Sequence, residues 1–268
     1  MKNNRYKILV LSDLSKRSDT ILKTTANLAK MIGGDINLLH VKKPVDVIET
    51  DNQLSSIRTF NRDYLKSKNN IETIVKSVDK QLHINYDIVY GNVKQEIETY
   101  IQNINPDIIV LGKKRFNALK LIGDNLTKFI LKKYKGTVLI ASNNNVLEYN
   151  ENLSLGILND FEHTSNADLT KSLMNLTQKP IKAFKIKNST NLSSQNKKDV
   201  TSNKTVEYVF EPNSNVLNNL SNYLLKSNVG LLCINKNSVN TKSNKGLYTN
   251  INLDGVIKRL NVSLLLTA

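Results

Sequence analysis

The loop between positions 112 and 125 is the part of the sequence best suited to bind an anion. Gly112 ends the apolar run 108–111, and a basic, polar stretch leads from it to Asn125. If the apolar run is a parallel strand, this loop lies at the carboxyl edge of a sheet and can present backbone N–H groups to phosphate. The sequence therefore predicts that a bound nucleotide would lie here.

Asp13 is the carboxylate whose position suggests a function. It follows the apolar run 8–11, and a carboxylate at the end of a first parallel strand lies where a nucleotide ribose or base would lie. An aspartate at this place can also cap the helix that follows. The sequence leaves both interpretations open.

Enzymatic chemistry finds little support in the sequence. The three histidines, His40, His83 and His163, lie far apart and lack metal-ligand spacing. We interpret the first two, at strand boundaries, as structural. The chain has no nucleophile elbow, zinc-binding His-Glu-x-x-His pair or Walker phosphate loop. We therefore expect no enzymatic activity, no catalytic residue and no metal site.

The formal net charge of +15 raises the question of nucleic acid, because Lys and Arg neutralise phosphates without reading a base sequence. Aromatic residues make up 6% of the chain, tryptophan is absent, and no platform for base stacking is visible. Lysines are spread over many helix faces. Nucleic acid is therefore not the expected partner, and it is kept as a third hypothesis.

The single cysteine, Cys233, excludes an internal disulfide and fits a reducing compartment. It lies in the apolar run 230–234, which predicts a buried, inert thiol. Asp13 interrupts the first apolar run too early for a signal peptide, and no stretch approaches the length of a membrane span. We expect a cytoplasmic protein without a membrane partner.

Apolar runs alternate with helical patterns along the first 142 residues. The pattern predicts five strands and four helices, which is typical of a doubly wound α/β sheet. The first helix is expected to begin near Ser18, with Ser15 or Ser18 as its cap. The long helical pattern 51–82 contains Asn69 and Asn70, where a break or bend is expected.

The second half repeats the first in a weaker form. Residues 155–161 echo residues 8–14 and place Asp160 opposite Asp13, while residues 231–234 match the run 108–111. Two copies of one fold explain this repetition. We therefore predict two domains, 1–145 and 151–268.

The second copy is reduced where the first has its candidate site. Residues 188–204 have almost no apolar periodicity and are expected to form a mobile loop or one frayed turn. Residues 236–250 are polar and contain one glycine, Gly246. We expect no nucleotide in the second domain.

Four segments of the first half resemble the universal stress protein family. They are ILVLSDLS at 8–15, LLHV at 38–41, DIIVLG at 107–112 and TVLIAS at 137–142. The family pattern ends its first strand in Asp, often within T-D-x-S, and its second strand in His-Val. The resemblance covers the first 142 residues well and the remainder as a degenerate second copy.

The resemblance implies two Rossmann-like domains, each with a five-stranded parallel sheet in the order 3-2-1-4-5. Members of the family pair through the last strand. In a chain with two copies, the resemblance implies an internal pseudo-dimer of the two domains, and a homodimer of whole chains is an alternative. A further partner would be a protein that the sequence does not identify.

Some members of the family bind ATP. In these, positions matched here by Asp13 and Val41 hold the adenosine, and a glycine pattern holds the phosphates. Gly112 matches its first glycine, but Arg115 replaces the second and opposes close approach of the backbone to phosphate. The last pair of the pattern falls on positions 124 and 125, an aspartate and an asparagine.

The predicted cofactor positions are accordingly Asp13, Val41, Gly112, Lys113 and Asn125. The first hypothesis is a non-enzymatic stress-type protein with at most weak nucleotide binding in its first domain, and hence no resident cofactor. The second is an ATP-binding switch in which three cations hold the phosphates, namely Lys113, Lys114 and Arg115. The third is a non-specific nucleic-acid binder.

Overall fold

The computed structural model describes residues 5–43, 53–79, 81–113, 125–159, 167–186, 205–236 and 252–267. The predicted loop at 188–204 lies outside these ranges. The strands are β1 (Tyr6–Leu11), β2 (Gly34–Lys42), β3 (Ile84–Tyr90), β4 (Ile108–Gly112), β5 (Thr137–Ala141), β6 (Leu155–Leu158), β7 (Ile181–Ile186), β8 (Thr205–Phe210), β9 (Leu231–Asn235) and β10 (Ser263–Thr267).

Helices alternate with these strands, as the sequence pattern predicts. They are α1 (Ser18–Ile32), α2 (Gln53–Lys76), α3 (Val93–Ile104), α4 (Asn125–Lys133), α5 (Ala167–Leu176), α6 (Val216–Lys226) and α7 (Leu253–Arg259). A short 3₁₀ helix, Asn150–Asn152, precedes β6. The prediction of a doubly wound α/β architecture is confirmed.

By its internal contacts the chain divides into two compact units, Met1–Lys135 and Gly136–Ala268. The first unit has the strand order β3-β2-β1-β4, and all of the described pairs are parallel. The central strands β1 and β4 are buried over most of their length, which requires the continuous apolar runs seen in the sequence; the edge strand β3 is only half-buried. The strand β5, which the sequence pattern assigned to the first domain, falls in the second unit.

The second unit has the strand order β5-β10-β9-β6-β7-β8. Within it, β8-β7-β6-β9-β10 is a parallel five-stranded arrangement in the predicted order 3-2-1-4-5. The strand β5 runs antiparallel to β10, with Leu139 opposite Leu265; this pairing adds to the predicted order within each repeat and does not contradict it. The two last strands of the repeats thus pair with each other.

The start of α1 differs from the prediction. Its N-cap is Arg17, which makes no capping hydrogen bond through its side chain. The Ser18 hydroxyl instead accepts a hydrogen bond from the Ser12 hydroxyl at 3.1 Å. The Ser15 carbonyl accepts the Ser18 N–H at 2.9 Å. The prediction of a Ser15 or Ser18 side-chain cap is therefore wrong, because Ser18 is engaged with the end of β1.

The helix α2 continues through Asn69 and Asn70, so the predicted break does not occur there. Ile71 is fully buried and holds this part of the helix against the first unit. The Asn69 carbonyl accepts a hydrogen bond from the Thr73 hydroxyl at 2.7 Å, one turn further on. Packing of the buried face outweighs the low helix propensity of the two asparagines.

Candidate functional site

The carboxyl ends of β1, β2 and β4 meet at one edge of the first unit. Leu11 lies opposite Leu39 on one side and Leu111 on the other, so the three strands end in register. The chain leaves β1 at Ser12, whose N–H donates to the Leu39 carbonyl at 3.0 Å. We call this region the carboxyl edge of the first unit.

Three of the predicted site residues lie at this edge in corresponding positions. Asp13, Val41 and Lys113 each follow an aligned leucine by two residues, and Gly112 ends β4 beside them. Asp13 is exposed, whereas Val41, Gly112 and Lys113 are half-buried. The structure therefore brings together four of the five positions that the sequence predicted.

Asp13 stabilises the turn after β1. Its carboxylate accepts the N–H of Ser15 at 3.0 Å. The backbone at Leu14 adopts a left-handed conformation, with φ of 52°, which a leucine rarely adopts. The helix-cap interpretation of Asp13 does not hold, because Arg17 is the N-cap of α1. An exposed carboxylate at this edge is still available to a ribose.

His40 holds the same turn from the side of β2. Its Nδ1 lies 2.9 Å from the Ser12 carbonyl. Because a carbonyl only accepts, Nδ1 carries the proton. Burial lowers the pKa of His40, an effect that the Ser12 hydrogen bond opposes. The ring is thus neutral at pH 7 and serves as an anchor for the exit of β1.

Gly112 has a packing role that the sequence did not reveal. A Cβ at this position would overlap the Cδ1 of Ile21 on α1. The glycine therefore allows α1 to approach the end of β4 closely. Its presence is explained by this contact alone, whether or not a phosphate binds.

Lys113 lies immediately beyond β4 and is half-buried. Burial lowers its pKa from 10.5 to about 8, because the charged ammonium loses part of its hydration. At pH 7 the ammonium form still predominates, so Lys113 carries positive charge at the carboxyl edge. Positions 114, 115 and 124 lie outside the described residues.

Asn125 is the first residue of α4. The first backbone N–H groups of a helix have no partner within it and can bind an anion. The side chain of Asn125 is outside the described part of the chain. The structure therefore locates this predicted residue without placing its amide against the other four.

The corresponding edge of the second unit has the same backbone contact. The N–H of Asn159 donates to the Phe184 carbonyl at 2.7 Å, as that of Ser12 donates to Leu39. Asn159 has a left-handed φ of 58°. The Asn159 side-chain carbonyl accepts the Ile186 N–H at 3.2 Å. Asp160, the counterpart of Asp13, lies outside the described residues.

Side chains of the second unit occupy the positions that correspond to Gly112 and Lys113. These are Asn235 and Lys236, and both are only 8% exposed. The Lys236 ammonium donates to the Gly136 carbonyl at 2.7 Å. The polar stretch 236–250 gives no indication in the sequence that its first residue is buried. The one feature that could have indicated it is the position of Lys236 directly after β9, which repeats that of Lys113 after β4.

In the described part of the chain, no three His, Cys, Asp or Glu side chains lie close enough together to hold a metal ion. No described helix combines the length and the apolar character that crossing a membrane requires.

Known proteins with the same architecture extend these observations. A universal stress protein from Archaeoglobus fulgidus DSM 4304 superposes with a TM-score of 0.64 at 13% identity, over 97% of this chain and 95% of that one. A functionally unknown protein from Pseudomonas aeruginosa PAO1 gives a TM-score of 0.53 at 13% identity, over 98% and 92%. At such identities the likeness shows the fold alone.

The sequence itself, compared with known families, identifies the family of the chain. No curated protein sequence matches the chain. The sequence profile of the universal stress protein family matches residues 5–142, which is more than half of the 268 residues and includes β1 to β5. The chain therefore belongs to the universal stress protein family.

Proposed function

We propose that this protein is a non-enzymatic universal stress-type protein that acts through a protein partner and binds adenine nucleotide weakly, in its first unit only. The observation that carries the proposal is the carboxyl edge of the first unit. Asp13 and Val41 lie there, at the positions that the resemblance assigns to adenosine, while in the sequence Arg115 replaces the glycine that a close phosphate contact requires.

The ionisable groups at the edge support a binding role rather than catalysis. The His40 ring is used to hold the Ser12 carbonyl, and Asp13 holds the N–H of Ser15. A general base must instead reach the proton that it removes from a substrate. Both groups thus serve to hold the turn after β1, and the exposed Asp13 carboxylate can contact a ribose as well.

The second unit supports the restriction of nucleotide to the first. Asn235 and Lys236, both only 8% exposed, occupy the counterparts of Gly112 and Lys113 there, and the Lys236 ammonium contacts the Gly136 carbonyl. The pairing of β5 with β10 supports an internal pseudo-dimer of the two repeats. A homodimer or a complex with another protein would then form through a surface other than the one at which β5 and β10 pair. Cys233 as a single reduced thiol supports a cytoplasmic location.

Calorimetric titration with ATP tests the proposal. We expect a dissociation constant weaker than about 100 μM, because the phosphates gain little from the loop. Asp13→Ala is expected to abolish the remaining heat. Asp168→Ala removes an equally exposed carboxylate from α5 in the second unit and should leave binding unchanged. Micromolar affinity that depends on Asp13 would contradict the weak-binding proposal, and accumulation of ADP would contradict the absence of catalysis.

The second candidate function is an ATP-binding switch, and the position of Lys113 favours it. If Lys113 and its neighbours Lys114 and Arg115 hold the phosphates, binding requires the charged form of Lys113. With a pKa of about 8, that form is present below pH 8 and is lost as the pH rises above it. Affinity for ATP is then expected to fall about 25-fold between about pH 7.5 and 9.5.

The variant Lys113→Met provides the comparison. It should bind ATP weakly at both pH values and show a flat pH profile, measured by the same titration. A wild-type profile that is also flat, or a variant that keeps the wild-type slope, would rule out Lys113 as a phosphate ligand.

A further inference from the structure

The outward face of α2 carries a row of positive charge. Arg58, Arg62 and Lys66 follow one another at intervals of four residues and are exposed. With Asn61 and Asn69 they line an open groove of about 660 Å³. We call the surface formed by these five residues the basic face of α2.

The acids of α2 do not neutralise this face. Asp63 lies 3.3 Å from Lys42 of β2. Glu72 accepts a hydrogen bond from Tyr86 of β3 at 3.0 Å and lies 4.0 Å from Lys68. Both carboxylates are thus directed to other partners, so the charge of the basic face is exposed.

The described carboxylates form no ion pair with the three cations themselves. Among the described residues, no carboxylate lies within 4.0 Å of Arg58, Arg62 or Lys66, which is the limit for an ion pair. Their side chains are exposed, so hydration stabilises their charges in the free protein. An anion that replaces the solvent there would gain the attraction of all three.

The spacing of the cations fits a strand of phosphates. A step of four residues along a helix is about 6 Å, and consecutive phosphates of one duplex strand, which rise about 3.4 Å along the axis and rotate around it, lie about 7 Å apart. Arginine donates to phosphate through two parallel N–H groups. Asparagine amides are common donors to the sugar–phosphate backbone.

We propose that the basic face of α2 binds the sugar–phosphate backbone of duplex nucleic acid, without reading the base sequence. The face has no aromatic side chain on which an unpaired base could stack, which favours a duplex over a single strand. Leu65 is the one apolar side chain in the groove, 54% exposed. Ile57, Phe60 and Tyr64 are also exposed on α2 but do not line this groove, so a membrane surface, which needs a continuous apolar face, is distinguished by the test below.

The proposal goes beyond the nucleotide site and is independent of it. The composition of the chain suggested evenly spread lysines, and nucleic acid was not the expected partner. The structure changes this expectation locally, because it shows which acids of α2 are paired away from the exposed cations. The sequence suggested positive charge spread over many helices, whereas the structure shows a defined row of exposed cations on α2.

Fluorescence anisotropy with a labelled DNA duplex of arbitrary sequence tests the proposal on the full chain. The triple variant R58Q/R62Q/K66Q is expected to bind at least about tenfold more weakly at low salt. Its plot of log affinity against log salt should be shallower by about 3, one for each lost phosphate contact. The circular dichroism spectrum should be unchanged, because substitutions of exposed side chains away from caps and cores have little effect on stability.

The matched control is K132Q/K171Q/K226Q, which removes the same charge from exposed positions on α4, α5 and α6. It should retain affinity within about twofold. An equal loss in both variants would show that only net charge matters. Absence of duplex binding would overturn the proposal. So would equal competition by polyglutamate, which would indicate an acidic protein, or preferential binding to phosphatidylserine vesicles.

Discussion

Replacing Phe184 with alanine is expected to lower the free energy of unfolding of the second unit by about 3–5 kcal/mol. Phe184 of β7 is fully buried. Its ring centroid lies 5.6 Å from that of Tyr208, 6.0 Å from that of Tyr223 and 6.3 Å from that of Phe210. Truncation would leave a cavity among these three rings and would also remove the contacts that the Phe184 ring makes with each of them.

Urea denaturation measures this effect, with Phe60→Ala as the matched control. Phe60 undergoes the same chemical change in the first unit, but its side chain is already 37% exposed, so its loss should cost clearly less. The free energy of unfolding of Phe184→Leu should lie between those of the wild type and Phe184→Ala, because leucine fills most of the cavity. A Phe184→Ala variant within about 1 kcal/mol of wild type would contradict the packing described here.

The thiol of Cys233 is expected to react with a disulfide reagent at least about a thousandfold more slowly in the native protein than in denaturant. Cys233 is fully buried in β9, between Ile157 of β6 and Leu265 of β10. Burial raises its pKa to about 12, so the reactive thiolate is scarce even where reagent could enter.

Because the chain has one cysteine, a single rate reports on this position. Reaction with a chromogenic disulfide at pH 8, with and without urea, provides the measurement. If the reaction requires unfolding of the second unit, Phe184→Ala should accelerate it by about 100-fold or more, since 1.4 kcal/mol corresponds to tenfold. Rapid native labelling would contradict a buried thiol. An unchanged rate in Phe184→Ala would show that local opening, rather than unfolding, exposes it.

The edges of the two sheets show how far sequence patterns predict the fold. Apolar runs were sufficient to locate the strands. The apolar runs did not show that β3 and β8 present different kinds of side chain to the helices packed against them. In β3, Asp87 accepts a hydrogen bond from Tyr100 of α3, whereas in β8 the corresponding Tyr208 packs on Tyr223 of α6 with ring centroids 4.7 Å apart. The alternation of both strands is visible in the sequence, but which face meets a helix depends on neighbours distant in the chain.

The candidate site was predictable in position and less so in chemistry. Strand ends that lie in register at one edge follow from the parallel pattern, and Asp13, Val41, Gly112 and Lys113 are found there. The sequence could not show that Gly112 is required by the Ile21 side chain, because that contact joins β4 to α1. Nor could it show the hydrogen bonds that hold Asp13 in a turn rather than at a helix cap.

Buried lysines illustrate the same limit. Lys236 looked like the start of a polar loop, and its contact with the Gly136 carbonyl depends on how β5 lies in the second unit. On α2, the four-residue spacing of the cations is plain in the sequence. Whether the charge is neutralised depends on where Asp63 and Glu72 find partners, and only the folded structure shows this.

The most direct test of the weak-binding account is the nucleotide content of the freshly purified protein. After rapid purification without added nucleotide, the chain is denatured and the released material is quantified by chromatography. We predict less than about 0.1 mole of adenine nucleotide per mole of protein, because a site weaker than about 100 μM empties during purification. Release of close to one equivalent, lost in Asp13→Ala, would contradict the account and would establish a competent nucleotide site in the first unit.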